Sequence, residues 1–290
     1  MKQLLDRFLL LQPVWLPTLL FIPLLYALGW ITAVPLTLLG LPAHQVSLTG
    51  TVLSFVLFLL VMPRWAALRW SENHPWRRLG LVGRNPRNRI PHVTSLSIGL
   101  LMSLALVTVI VSLLVFTGGG TWQGSLDINA LFNCLLLALG VGLAEELIFR
   151  AWLWEELTLI IGATGGMLGQ AALFSLVHTR FNLGILPMLG LLTGLFLLGL
   201  VLALLRYRNR GSLWGSIGMH GGLVGIWFLV HQNLMTINPS APIWLVGPGG
   251  SNANPLGGVV GILSLTAIVA YLRQHTQSTR LRQSTHSVHD

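Results

Sequence analysis

The chain reads as an all-α polytopic membrane bundle of about eight transmembrane helices, with an intramembrane cavity open toward the cytoplasmic side. Three observations lead there. Apolar residues make up 53% of the sequence against 9% charged, with mean hydropathy +0.75, a balance typical of membrane bundles rather than soluble cores. Eight apolar runs approach or exceed the length needed to cross a bilayer. A few acids and histidines fall inside those runs, where ionisable groups are costly and usually line a polar cavity.

In order, the runs are Trp15–Leu38, Leu53–Arg69, Val93–Phe116, Ala130–Trp154, Gly165–Val177, Ile185–Leu205, Leu213–Val230 and Gly258–Leu272. The N-terminal Met1-Lys2…Arg7 followed by apolar residues resembles a signal sequence. The run continues through Pro13, Pro17 and Pro23 without a small-residue cleavage site, so it is expected to be a retained first span. The fifth run is short and is expected either to tilt or to end inside the membrane against protein. The lone cysteine, Cys134, lies mid-run, excludes an intrachain disulfide and suits packing better than nucleophilic chemistry.

The connections set the orientation. Seven arginines fall between Arg64 and Arg89, three more at Arg206, Arg208 and Arg210, and three in the tail at Arg273, Arg280 and Arg282. Lys2 and Arg7 precede the first span, and the alternate loops at 40–50, 117–129 and 231–257 contain no Lys or Arg. Counting Arg150 with the basic side, 16 of the 17 basic residues share one face and Arg180 is the exception. Both termini are therefore expected in the cytoplasm, on an integral, multi-pass protein of the cell or inner membrane. The net charge of +9 is explained by these loops, and no aromatic-basic motif points to nucleic acid. The loop Trp65–Pro91, with Trp70 and Trp76, reads equally as an interfacial segment or a plain loop. The Gly/Pro-rich stretch after Pro239 reads as an ordinary outer loop. This divides the chain into three N-terminal helices with the basic loop 64–91 (1–128), a core of helices four to seven (129–232), an outer loop with the eighth helix (233–272), and a polar tail expected to lack order (273–290).

The stretch around which the chain is organised is Leu139–Trp154, with Glu145, Glu146 and Arg150 inside an apolar run. On an α-helix Glu146 and Arg150 stand one turn apart in the favourable order and pair as a brace. Glu145 is turned about 100° away and left free to work. Three further polar residues lie at depth: His178, one turn after Phe174; His220, in the glycine-rich seventh run; and Arg180, expected to snorkel. With 1.5 Å rise per residue, Glu145, His178 and His220 lie about 15, about 20 and about 12 Å in from the cytoplasmic face, compatible with one site. Gly190/Gly194, Gly218/Gly222 and Gly221/Gly225 put small residues on helix faces suited to packing within the chain. His231 reads as an outer-interface residue; His44, His74, His92 and the tail histidines His275, His286 and His289 read as surface groups.

Glu145-Glu146-x-x-x-Arg150, then Phe174-x-x-x-His178, then His220 in a glycine-rich span resemble the ordered motifs of the CPBP intramembrane proteases. That family takes in the CAAX prenyl endopeptidases of the Rce1 type and bacteriocin-processing or self-immunity (Abi-type) relatives. The resemblance covers Ala130–Val230. It implies Glu145 as general base, His178 as its partner in activating water, His220 as oxyanion stabiliser, and Glu146, Arg150 and Phe174 as supporting residues. One departure is Val224, where the family usually carries an asparagine donor.

The same donors, Glu145, His178 and His220, form a one-carboxylate, two-histidine set of the kind that binds Zn²⁺ with an open water position. His-Glu-x-x-His spacing is absent, so metal-free and metallo-endopeptidase mechanisms both stay open, with Zn²⁺ the only cofactor suggested. The reading is an intramembrane endopeptidase acting on a membrane-anchored protein or peptide. Its rivals are a non-catalytic scaffold or immunity protein of the same fold, favoured by Val224, and a proton-coupled transporter, disfavoured by the lack of inverted repeats.

Overall fold

The structure is a computed structural model that describes residues 2–83 and 91–286, except for the side chains at 251 and 275–286. It is an all-α polytopic bundle, and the eight apolar runs all appear as helices. Among the described residues, five helical stretches are long and apolar enough to cross a membrane: Trp15–Leu39, Ala43–Arg69, His92–Phe116, Ile128–Leu176 and Ile185–Arg208. Val259–Gln274 adds a shorter apolar helix. The chain divides into two compact units, Met1–Leu79 and Gly80–Asp290.

In the first unit, α1 (Lys2–Leu9) and α2 (Trp15–Ala33) precede α3 (Val46–Arg69), and α4 is a single turn, Pro75–Arg78. After α2 the chain tightens into a 3₁₀ turn, Val34–Leu39, and stops at Gly40, whose φ of 97° only glycine adopts readily. Phe21 packs on Trp65 at 4.4 Å and on Phe58 at 6.0 Å. The guanidinium of Arg64 forks onto both oxygens of Asp6 at 2.7 and 2.6 Å. α3 ends at Arg69, where the second apolar run ends, so Trp65–Arg69 is helix and Trp65 is fully buried. Of the basic loop, residues 84–90, with Arg84, Arg87 and Arg89, lie outside the described residues.

The second unit holds α5 (His92–Phe116), α6 (Ile128–Glu145), a π-helix (Glu146–Leu153), α7 (Trp154–Leu176), α8 (Ile185–Arg208) and α9 (Trp214–Leu229). A one-turn α10 (Ile243–Val246) and α11 (Val259–His286) follow. Gly162, at φ 76° and ψ 171°, breaks α7, so Ile128–Leu176 contains both the fourth and fifth expected segments. α11 runs past Leu272 into residues expected to lack order; residues 287–290 lie outside the described set.

Glycine explains why α9 can be central. A Cβ at Gly218 or Gly222 would strike Leu96 or Ser103 of α5, and one at Gly221 or Gly225 would strike Ala138 or Cys134 of α6. The two overlapping small-residue pairs therefore seat α9 against two different helices of its own chain. Gly194 does the same for α8 against the backbone of Leu256. α5, which the sequence grouped with the N-terminal helices, packs on α9 and lies in the second unit. Hydroxyl-to-carbonyl bonds stitch the remaining helices: Ser175 to Leu192 at 2.7 Å and Ser216 to Leu202 at 2.8 Å.

On the ends without Lys or Arg, β1 (Gly120–Trp122) pairs antiparallel with β2 (Met235–Ile237), Thr121 opposite Thr236. A two-stranded ribbon this short has no readable alternation, and the sequence did not show it.

Candidate active site

α6 starts on Asp127, whose side chain caps the backbone N–H of Asn129 at 3.2 Å. It ends where the acidic pair begins. From Glu146 to Leu153 the backbone is a π-helix, a rare i→i+5 geometry that recurs at functional sites. Helical periodicity in a sequence does not reveal such a register change.

Within this turn Glu146 and Arg150 are fully buried, with Arg150 Nη1 3.1 Å from Glu146 Oε1. The same oxygen accepts a 2.8 Å hydrogen bond from His220 Nδ1. Glu146 thus orients an imidazole as well as neutralising a guanidinium, a role the brace reading lacked. The Arg150 cation lies 3.9 Å from the ring centre of Phe174, within cation–π range. Phe174 also stands edge-on to His220 at 5.5 Å and tilted against His178 at 4.8 Å. One buried ring therefore spaces both imidazoles and the arginine.

His178 lies just beyond the last residue of α7, in the turn that ends it. Its Nδ1 is 2.7 Å from the carbonyl of Phe174. Because that partner can only accept, Nδ1 carries the hydrogen and Nε2 is left for the site. His220 is held alike, with Nδ1–H toward Glu146. The two Nε2 atoms then face one target: each lies 3.8 Å from Glu145 Oε2. That oxygen is buried and has no hydrogen-bond partner. Three polar atoms converge there, and a small hydrogen-bonding guest such as water is the chemical complement.

Zinc suits them less well. Donors about 2.0–2.1 Å from one tetrahedral ion stand about 3.3–3.5 Å apart, closer than the 3.8 Å found. Among the described residues no group of three or more His, Cys, Asp or Glu is arranged to hold a metal ion. The set does not fit zinc as it stands.

Glu145, Phe174, His178 and His220 line a cavity of about 430 Å³. Its walls are apolar, from Val107 and Ile110 of α5, Val141 of α6 and Leu198 of α8. Val224 lies on its wall one turn after His220. The cavity then runs past Trp227 and His231 to Arg180 and Asn252–Leu256. Among the described residues, none that lines the cavity comes from the basic loops. His231, expected at the outer interface, lies on the wall near Arg180 and Asn252.

The six residues singled out in the sequence, Glu145, Glu146, Arg150, Phe174, His178 and His220, are brought together. Arg206 was missed. Read as a loop charge, it is buried, donates to the Arg150 carbonyl and lies 3.4 Å from Glu155, tying the π-helix to α8. Charge alone does not separate an orientation signal from such a tie. Trp227, whose indole N–H donates to the Ala253 carbonyl at 3.2 Å, was also missed because its partner lies in a distant loop.

The comparison with known families falls on the same stretch. Residues 127–226 match the type II CAAX prenyl endopeptidase Rce1-like family. The Rce1-like segment begins at the cap of α6 and ends within α9, so it contains Glu145, His178 and His220. Residues 2–74 match a second family model, a domain of unknown function, DUF8676. No curated protein and no solved structure matches the chain.

Proposed function

We propose that the protein is an intramembrane endopeptidase in which Glu145 activates a water molecule for attack on a peptide bond of a membrane-associated substrate. The observation that carries this reading is the buried, unbonded Oε2 of Glu145 facing Nε2 of two imidazoles at 3.8 Å. Glu145 takes a proton from water as the oxygen attacks the scissile carbonyl. The carbonyl becomes a tetrahedral oxyanion, and Glu145 returns the proton to the amine as the C–N bond breaks. His178, anchored through Nδ1–H, positions the water with Nε2. His220, held at Nδ1 by Glu146, turns Nε2 toward the developing oxyanion. Val224 supplies no donor, so His220 carries that stabilisation, a contribution of several kcal/mol in a dry site (about 2.7–4 for one donor). Among the described residues no Ser, Thr or Cys lines this cavity, which favours direct attack by water over an acyl-enzyme.

The match at residues 127–226 supports the endopeptidase class; the glutamate mechanism rests on the geometry. Comparative membrane proteomics of cells carrying native protein or Glu145→Gln tests it. An uncleaved precursor accumulates in the variant, whereas identical fragment patterns would remove Glu145 from the chemistry. The cleavage is expected to persist after exhaustive chelation, and loss of activity restored by zinc alone would replace this mechanism with a metal-assisted one.

A further inference from the structure

Among the described residues, the lining of the cavity runs toward one set of helix ends of the second unit. Its deep end is Glu145 and His220; its outer end is Arg180, His231, Gln232 and Asn252. These belong to the turn after α7 and to the connection 230–258, which lies on the same ends as the Lys/Arg-free loop 117–129. Within the second unit, the basic ends, at Arg206–Arg210 after α8 and Arg273 on α11, lie at the opposite helix ends, and basic loops stay in the cytoplasm.

Among the described residues, Arg180 is the only lysine or arginine lining the cavity. Its Nη1 makes one long hydrogen bond, 3.4 Å, to the Asn252 carbonyl, and among the described residues no carboxylate pairs with it. The exposed guanidinium keeps a planar fork of donors that matches a carboxylate. Its position two residues after His178 ties that fork to the reaction centre.

We propose that the cavity takes in a peptide segment from the extracytoplasmic face of the membrane, and that Arg180 at its mouth holds a carboxylate of that segment. This rests on the endopeptidase reading only for what happens to the segment once bound. The carboxylate belongs either to an acidic side chain or to a chain terminus. Apolar walls between Arg180 and Glu145 favour a segment that is otherwise hydrophobic.

The test needs no turnover. In a Cys134→Ser background, Val224→Cys places one thiol on the cavity wall, to be labelled in intact spheroplasts by two membrane-impermeant methanethiosulfonates. One carries a sulfonate and the other a trimethylammonium group. Arg77→Cys and Arg210→Cys report the basic face. Val224→Cys is expected to react in intact spheroplasts while Arg77→Cys and Arg210→Cys react only after rupture. Adding Arg180→Gln is expected to lower the sulfonate-to-ammonium rate ratio at least about threefold, because one positive charge leaves the mouth. Size-exclusion profiles in detergent confirm that each variant is folded. Two apolar peptides, one with a free C-terminus and one amidated with an internal glutamate, then distinguish the carboxylate sources by which one slows labelling.

Reaction of Val224→Cys only after rupture, or in neither state, would overturn the access side. An unchanged rate ratio in Arg180→Gln, or protection by neither peptide, would overturn the role of Arg180. These failures leave Glu145-dependent cleavage standing, and loss of that cleavage leaves the labelling pattern standing.

Discussion

Glu146 has two partners and no water-facing surface, which makes it the most constrained acid of the site. Removing one member of a buried ion pair leaves the other uncompensated, at a cost of about 3–5 kcal/mol. Arg150→Met is therefore expected to lower detergent melting markedly, and Glu146→Gln/Arg150→Met to recover part of the loss. If the single and double variants melt alike, the pair is not the brace described here. His220 serves both: His220→Ala should cut cleavage through loss of Nε2 and also lower melting, because the buried Glu146 loses the partner held at Nδ1. Val224→Asn, which restores a donor beside His220, is expected to raise kcat. A fall in kcat without loss of folding would show that Val224 is needed for substrate fit instead.

Elements owe their positions to small residues and to one unusual turn. Gly221→Leu would drive a side chain into the backbone of Ala138, and overpacking of this kind costs about 1–3 kcal/mol or more. Gly140 on α6 faces open space, with nothing within 4 Å of where a Cβ would sit, so Gly140→Ala is expected to leave melting unchanged or slightly raised. Equal effects at the two positions would contradict the seating of α9 between α5 and α6. The overlapping glycine spacing was readable in the sequence, as were the runs that became helices. The π-helix at Glu146–Leu153 was not, because apolar periodicity does not distinguish i→i+5 from i→i+4 bonding; Arg206 of α8 donates to the Arg150 carbonyl within it. Nor could spacing show that His178 lies past the end of α7, where its Nδ1 turns back to Phe174.

At the scale of the molecule, the sequence showed which residues share a depth but not which helix ends part to make a cavity. Arg180, an exception to the charge pattern, marks those ends, and its meaning emerged only beside Asn252. The first unit offers a pH test of its own. The hydrogen-bonded guanidinium of Arg64 holds the Asp6 carboxyl below its ordinary value of 3.8. A carboxylate favoured in the folded state stabilises above its unfolded pKa, and that contribution is lost as pH falls through the folded value. The melting difference between native protein and Asp6→Asn should therefore be steady near neutrality and shrink below about pH 3.8. A difference that grows with acidity would reverse the assignment. Because the pair is partly exposed, the effect is expected to be small and sensitive to salt.

Glu145, His178 and His220 are proposed to act as one centre, and groups that act as a unit lose activity non-additively. The decisive measurement is single-turnover cleavage of the accumulated precursor by Glu145→Gln, His178→Ala, His220→Ala and the triple variant. The Glu145 variant alone is expected to fall to the same floor as the triple, with the histidine variants close above it. Losses that multiply across the three positions, or a triple variant well below Glu145→Gln, would contradict a shared centre.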